Sequence, residues 1–214
     1  MHVKIANTQC VAMALALPLV GPWTATVQSD GAAVLSGRAS LTIADSLSFS
    51  GTVKTSAPYS GRVQTYLVAG AGGMQETVEG KAYSRATVRL VVVDLLSVIG
   101  ESLSPTSDAM TTELRHWMRA RNPARRELEM VLARSALPWR ALPDGTIWAG
   151  PETWPTSRLT KGYVIVDQNE AEKRVELAAD VPSVYPGETF LGRHVVAVEH
   201  RLSGTRLRTL VTFA

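Results

Sequence analysis

Apolar residues near the start of the chain recur at every second position. In RASLTIADSLSFSGTVKT, residues 38–55, Leu41 and Ile43 and then Leu47, Phe49 and Val53 alternate with small polar neighbours, and GRVQTYLVA repeats the pattern with Val63, Thr65 and Leu67. Successive side chains on a strand point to opposite faces, so this period implies antiparallel sheet or barrel with one face buried. Pro58, Ser60 and Gly61 mark a turn between the two runs. The chain has 214 residues, 45% hydrophobic and 19% charged, enough to bury a core and too apolar for a disordered chain.

The period changes after Ala86. In TVRLVVVDLLSVIGESLS, Val88, Val92, Leu95, Leu96 and Ile99 fall at helical spacing and Gly100 stands where a helix ends. SDAMTTELRHWMRAR reads as a second helix, with Met110, Leu114, Trp117 and Met118 on one face and Ser107 or Asp108 as cap. Asn122-Pro123 reads as the cap and first position of a third, PARRELEMVLARSA, with its stripe at Ala124, Leu128, Val131 and Leu132; it is expected to lie antiparallel or sharply bent to the second. In LPWRALPDGTIWAG, Asp144-Gly145 predicts a hairpin. GYVIVD, KRVELAAD and HVVAVEHRLSGTRLRTLVTF return to strands, with a final turn at Ser203-Gly204. The expectation is a β-rich α+β chain in three parts: a β-barrel-like domain over 1–80, a helical region with a hairpin over 81–157, and a second β-barrel-like domain over 158–214.

The chemistry-bearing patterns are thin. Gly70-Ala71-Gly72-Gly73 follows a strand, but Gln75 occupies the place of the third glycine of a dinucleotide loop, and no Lys-Ser/Thr pair completes a P-loop. The glycines are expected to serve a turn or a close backbone approach. His2, His116, His194 and His200 contain no His-x-x-x-His pair, so no metal site is expected, and no cofactor motif is present. His194 and His200 lie an even number apart, which would put them on one face of a strand. Cys10 is the single cysteine, expected as a small buried hydrophobe in a chain that folds in a reducing compartment. The N-terminal MHVKIANTQCVAMALALPLVG has an apolar run of leader length, but its single lysine and the interrupting Pro18 assign it to the fold. No apolar stretch is long enough to span a bilayer as a helix, so a soluble chain without a membrane partner is expected.

The net charge is +3, and its clearest cluster is Arg115, Arg119, Arg121, Arg125 and Arg126, with no acidic residue between them. Such a run is either a solvated face or a positive patch facing an acidic protein surface or nucleic acid; these five are the candidate interface residues. Two other classes compete: a small cell-wall hydrolase using Glu76, Glu79 or a histidine, and a monomeric carbohydrate-binding β module using Trp139, Trp148 and Trp154 as a platform.

GTVKTSAPYSGRVQTYLVAGAGG, VVVDLLSVIGESLSP, LPWRALPDGTIWAGPETWP and HVVAVEHRLSGTRLRTLVTF, in that order, resemble the baseplate hub proteins of tailed bacteriophages, particularly contractile-tailed ones. The family is similar to the N-terminal hub part of type VI secretion spike proteins. The resemblance implies a non-enzymatic structural protein of the virion tail baseplate, assembled in the host cytoplasm. It implies a homotrimer in which two barrels per chain present a near-sixfold ring to the hexameric tail tube and a threefold surface to the spike. Its implied partners are the tube or distal tube protein and the spike protein, with the tape measure and wedge proteins as further contacts and DNA only in the lumen. Larger members carry a spike or a peptidoglycan-cleaving domain in the same chain; nothing follows Ala214 here, so those functions are expected on separate proteins.

Overall fold

The structure is a computed structural model that describes residues 2–30 and 33–214. Six N-terminal strands form a closed barrel: β1 (Val3–Ile5), β2 (Thr8–Pro18), β3 (Thr24–Asp30), β4 (Gly37–Ile43), β5 (Leu47–Tyr59) and β6 (Arg62–Ala69). Their order is β1-β4-β5-β6-β3-β2, and β2 returns to β1 with Lys4 opposite Gln9. Tight turns with positive φ at both central residues, Ala6-Asn7, Ala44-Asp45 and Ser60-Gly61, fix the hairpin registers. The alternation seen in the sequence places Leu41, Ile43, Phe49 and Leu67 inside, each wholly buried.

The middle region holds β7 (Thr77–Val78), β8 (Lys81–Thr87), α1 (Val88–Val98), β9 (Glu113–Arg119), β10 (Asn122–Pro123), α2 (Ala124–Leu132), β11 (Trp139–Ala141) and β12 (Ile147–Ala149). Thr87 caps α1 by accepting the Leu90 N–H at 3.2 Å, and Gly100, at φ +69°, lets the chain turn out of its end. Here the helical spacing outweighs the β-branched valines, because Val91, Val92, Leu95 and Leu96 bury a face against α2 and the core. At α2 the cap position is Pro123; Asn122 instead sends its Nδ2 to the buried Glu127 at 2.6 Å. The Asp144-Gly145 hairpin forms as expected, pairing Trp139 with Ala149 and Ala141 with Ile147.

The expected helix over 107–121 is a strand. Residues 113–119 form β9, which pairs antiparallel with β8 so that Tyr83 faces Trp117 and Ala86 faces Leu114. The deceptive spacing of three has a local cause. Arg85 sits at φ +51° and breaks the alternation, so that Tyr83 and Ala86 on β8, and Leu114 and Trp117 on β9, are buried at helix-like intervals on strands. The expected antiparallel helix pair is accordingly replaced by α1 against α2.

The C-terminal strands are β13 (Tyr163–Asn169), β14 (Arg174–Ala179), β15 (Thr189–Phe190), β16 (Arg193–Ser203) and β17 (Arg206–Phe213), and the last turn is formed by Gly204 and Thr205. They run β16-β17-β14-β13, with β15 beside β16, and among the described residues this array remains open at β13. It is joined edge to edge to the barrel, because β16 pairs with β2 from Ala197 opposite Pro18 to Ser203 opposite Ala12. The two strand-rich ends are therefore parts of one antiparallel sheet. No helix among the described residues is long and apolar enough to cross a membrane.

Trp23 locks the middle region to the barrel. Its ring is buried edge-on to Phe49, and its Nε1 donates to the Leu142 carbonyl at 3.1 Å. Trp23→Ala is expected to lower the unfolding free energy by about 3–5 kcal/mol, measured as a lower urea midpoint; a loss under about 1 kcal/mol would contradict this packing account.

Candidate assembly interface

The glycine loop holds an anion, and the anion belongs to the protein. Ala71 N–H and Gly73 N–H donate to the Glu101 carboxylate at 2.9 and 3.2 Å, and Glu101 is buried. Gly70 is at φ +60° and Gly72 at φ +75°, and a Cβ on Gly70 would meet Glu101 Oε2 at 2.2 Å and the Gly145 carbonyl at 2.7 Å. The loop is thus a backbone nest that clamps the exit of α1 to the barrel rim. With the nest filled from within, a phosphate has no place there.

The residues of the competing readings do not converge. Glu76 and Glu79 are both exposed, and Glu79 faces Arg121 at 3.3 Å. His194 and His200 do not share a face: a bulge between Val195 and Ala197 shifts the register, leaving His194 exposed and stacked on Trp154 while His200 is wholly buried. His200 Nδ1 pairs with Thr209 Oγ1 at 2.9 Å, its Nε2 has no partner, and burial pushes its pKa down to about 4. Trp139 is core, Trp148 lies under the Arg140 guanidinium at 4.2 Å, and Trp154 stacks on His194, so the three form no common platform. Cys10 is buried and its thiol is pushed up to about 11 by desolvation, as a small hydrophobe's would be.

A cleft of about 460 Å³ lies where the barrel, the β11–β12 hairpin and the 152–158 and 185–188 segments meet. Three of its four charged groups are engaged, and Arg158 makes no ion pair among the described residues. Glu152 pairs with Arg140, Nη2 to Oε2 at 3.1 Å, and Glu188, whose carboxyl burial pushes above the usual range, accepts the Tyr185 N–H at 3.1 Å.

The arginine run is dispersed. Arg119 is 4% exposed; it donates to the Glu79 carbonyl at 3.0 Å and to Asp94 Oδ2 at 3.1 Å. Burial disfavours the Asp94 charge, but hydrogen bonds from Lys81 and Tyr83 with the Lys81 and Arg119 charges outweigh it and hold the carboxyl below its usual range. Arg121 faces Glu79 and Arg125 faces Glu129. Arg115 and Arg126 are exposed and make no ion pair among the described residues. The sequence shows five cations in a row; the fold leaves two of them unpaired and spends Arg119 inside.

The unsatisfied surface lies at the ends of the large sheet. β13 pairs with β14 alone, and its Val164, Ile165 and Val166 are 66%, 41% and 48% exposed. β5 loses β4 after Val53, where a bulge follows, so among the described residues β6 is the strand partner of 54–59, which is exposed except at Ser56, whose hydroxyl accepts the Leu35 N–H. Exposed strand edges invite pairing with another chain.

This architecture recurs in solved structures. The fold is shared with phage tail proteins. A 43 kDa tail protein of prophage MuSo2 from Shewanella oneidensis superposes with a TM-score of 0.73 at 6% identity, over 100% of this chain and 97% of that one. The tail protein of Neisseria meningitidis MC58 gives 0.67 at 10% identity, over 100% and 96%. The E. coli c3393 protein is a type VI secretion component described as similar to the T4 tail proteins gp27 and gp5; it gives 0.73 at 12% identity, over 100% of this chain and 77% of that one. The β-rich α+β fold expected from the hub resemblance is confirmed. No protein-family model and no curated protein matches the sequence.

Two stability predictions follow from this geometry. Glu101→Ala leaves two buried N–H groups unpaired and is expected to cost about 2–3 kcal/mol in urea unfolding; an unchanged midpoint would refute the clamp. His200, whose unfolded pKa of 6.5 falls to about 4 in the fold, contributes stability that is full above pH 6.5 and lost as pH drops through that window. The loss by pH 4 is about 3 kcal/mol, and it should appear as the difference in the pH dependence of stability between wild type and His200→Asn, equal slopes counting against it.

Proposed function

We propose that this chain is the structural hub of a phage tail baseplate, a trimeric symmetry adaptor that joins a hexameric tail tube to a trimeric spike. The carrying observation is the end-to-end likeness to phage tail and type VI secretion proteins, at TM-scores of 0.73 over the whole chain. The architecture supports the symmetry argument. Each chain brings a closed barrel and a second antiparallel array joined through β2 and β16, so three copies carry six β units. A ring of that kind needs shape and edges rather than a reaction centre.

On this reading the protein resides in the virion tail baseplate, with the tube or distal tube protein above, the spike below, and the tape measure and wedge proteins as further neighbours. The 1–80 and 158–214 segments are the paired ring units and 81–157 is the insertion between them. Arg115, Arg121, Arg125 and Arg126 belong to the partner-facing surface, while Arg119 supports the fold.

Co-expression with the tube and spike proteins of the same tail, followed by native mass spectrometry, is expected to give three copies of this chain per spike trimer; six copies, or one, would overturn the adaptor reading. Arg115→Glu with Arg126→Glu is expected to slow this co-assembly by about tenfold at low salt without changing the unfolding midpoint, as loss of electrostatic steering does. An unchanged rate would remove these arginines from the interface.

A further inference from the structure

The two strand segments left uncovered are the two ends of one continuous run of strands. Followed from β5, the sheet passes through β6, β3, β2, β16, β17 and β14 to β13. Every neighbouring pair along this path is antiparallel. The number of reversals is odd, so β5 and β13 run in opposite directions.

Both ends are exposed over most of their length, with Tyr163 on β13 packed edge-on to Phe190 and Ser56 on β5 bonded to Thr65 as the covered positions. Neighbouring side chains of a strand point to opposite sides, so exposure of both Val164 and Ile165, followed by Val166 at the bulge, leaves neither face of β13 covered over 164–166. In the 54–59 part of β5, Lys54, Thr55, Ala57, Pro58 and Tyr59 are exposed, and Leu35 reaches this stretch only through the Ser56 hydroxyl, at 3.0 Å. Pro58 lacks an N–H and restricts the registers open to an added strand.

The ends also differ in charge. Lys54 on β5 and Asp167 on β13 are exposed, and neither makes an ion pair among the described residues. A two-fold contact of β13 with itself would leave β5 bare and Lys54 without a partner. A head-to-tail contact opposes the two charges and covers both ends. If copies are related by rotation about an axis along the strands, β5 of the next copy meets β13 antiparallel, the same pairing found throughout the sheet. Unlike surfaces meeting head to tail close into a ring when the rotation between copies divides the circle, and run on as a filament when it does not.

We propose that β13 of one copy adds as a strand to the 54–59 segment of β5 of a second copy, and that this junction, repeated, closes the ring. The inference rests on the trimeric adaptor reading and assigns it a specific seam.

The test uses the full chain at high concentration with single cysteines at the two ends, Ala57→Cys and Val164→Cys, and a short bismaleimide linker. The native Cys10 is buried and stays silent. Mixing the two variants is expected to give a covalent heterodimer, neither variant alone should cross-link, and the double variant should give covalent trimers. Asp167→Lys should lower the yield several-fold, and adding Lys54→Asp should restore it. Cross-linking of Val164→Cys with itself would overturn the seam in favour of two-fold pairing. Trimers in light scattering without a 57–164 adduct would overturn the seam alone, and a monomer at every concentration would overturn the seam and the trimer together.

Discussion

The pairing of β16 with β2 makes this chain one object. Without it the barrel would be a closed unit and the C-terminal strands a separate array with a second bare edge. With it, β2 serves both halves: its inward residues Met13, Leu15 and Leu17 pack into the core, while its backbone carries the ladder to Val198, His200 and Leu202. Buried His200 lies directly opposite Leu15 on this ladder, so a residue whose charging is opposed by burial sits at the joint between the halves. A rigid joint of this kind transmits orientation from one β unit to the other, which a symmetry adaptor requires.

The middle region shares one apolar core with the barrel and is fastened to it by specific polar contacts. Trp23 reaches out of the barrel to the hairpin carbonyl at Leu142, Ser50 N–H donates to the Pro143 carbonyl at 2.7 Å, and Glu101 is held by the backbone of the glycine loop. Gly70 and Gly145 approach so closely that side chains there would collide, a Cβ on Gly145 meeting the Ser50 carbonyl at 2.8 Å. The glycine-rich stretch is thus explained by backbone proximity and by an internal carboxylate, two demands that resemble those of a phosphate loop.

Much of the fold was legible because burial on one face writes a period into the sequence. The barrel strands β4 to β6, α1 and the closing strands followed from it, and the β11–β12 hairpin followed from its Asp144-Gly145 turn, whereas β1 to β3 were not read as individual strands. The failures share a cause, which is single residues that shift parity. Left-handed Arg85 gives the β8–β9 ribbon a helix-like spacing, and the bulge after Val195 puts His194 and His200 on opposite faces. The role of Glu101 left a trace, an acidic residue immediately after a helix-ending glycine, but its partner is a loop thirty residues earlier that only the fold brings near. The arginine run misled because adjacency in sequence says nothing about which cations find internal acids. The bare ends of the sheet were also hidden, since VIVD in β13 reads like any strand until its lack of neighbours is seen.

The central claim is that the barrel and the C-terminal array act as neighbouring units of one ring, so that three chains stand where six tube subunits would. Electron cryomicroscopy of isolated tail tips, refined without imposed symmetry, tests it most directly. The account predicts a layer with three copies of this chain, barrel and array alternating around the axis, between a sixfold tube and a threefold spike. Six copies in that layer, or a single copy lying beside the axis, would contradict it.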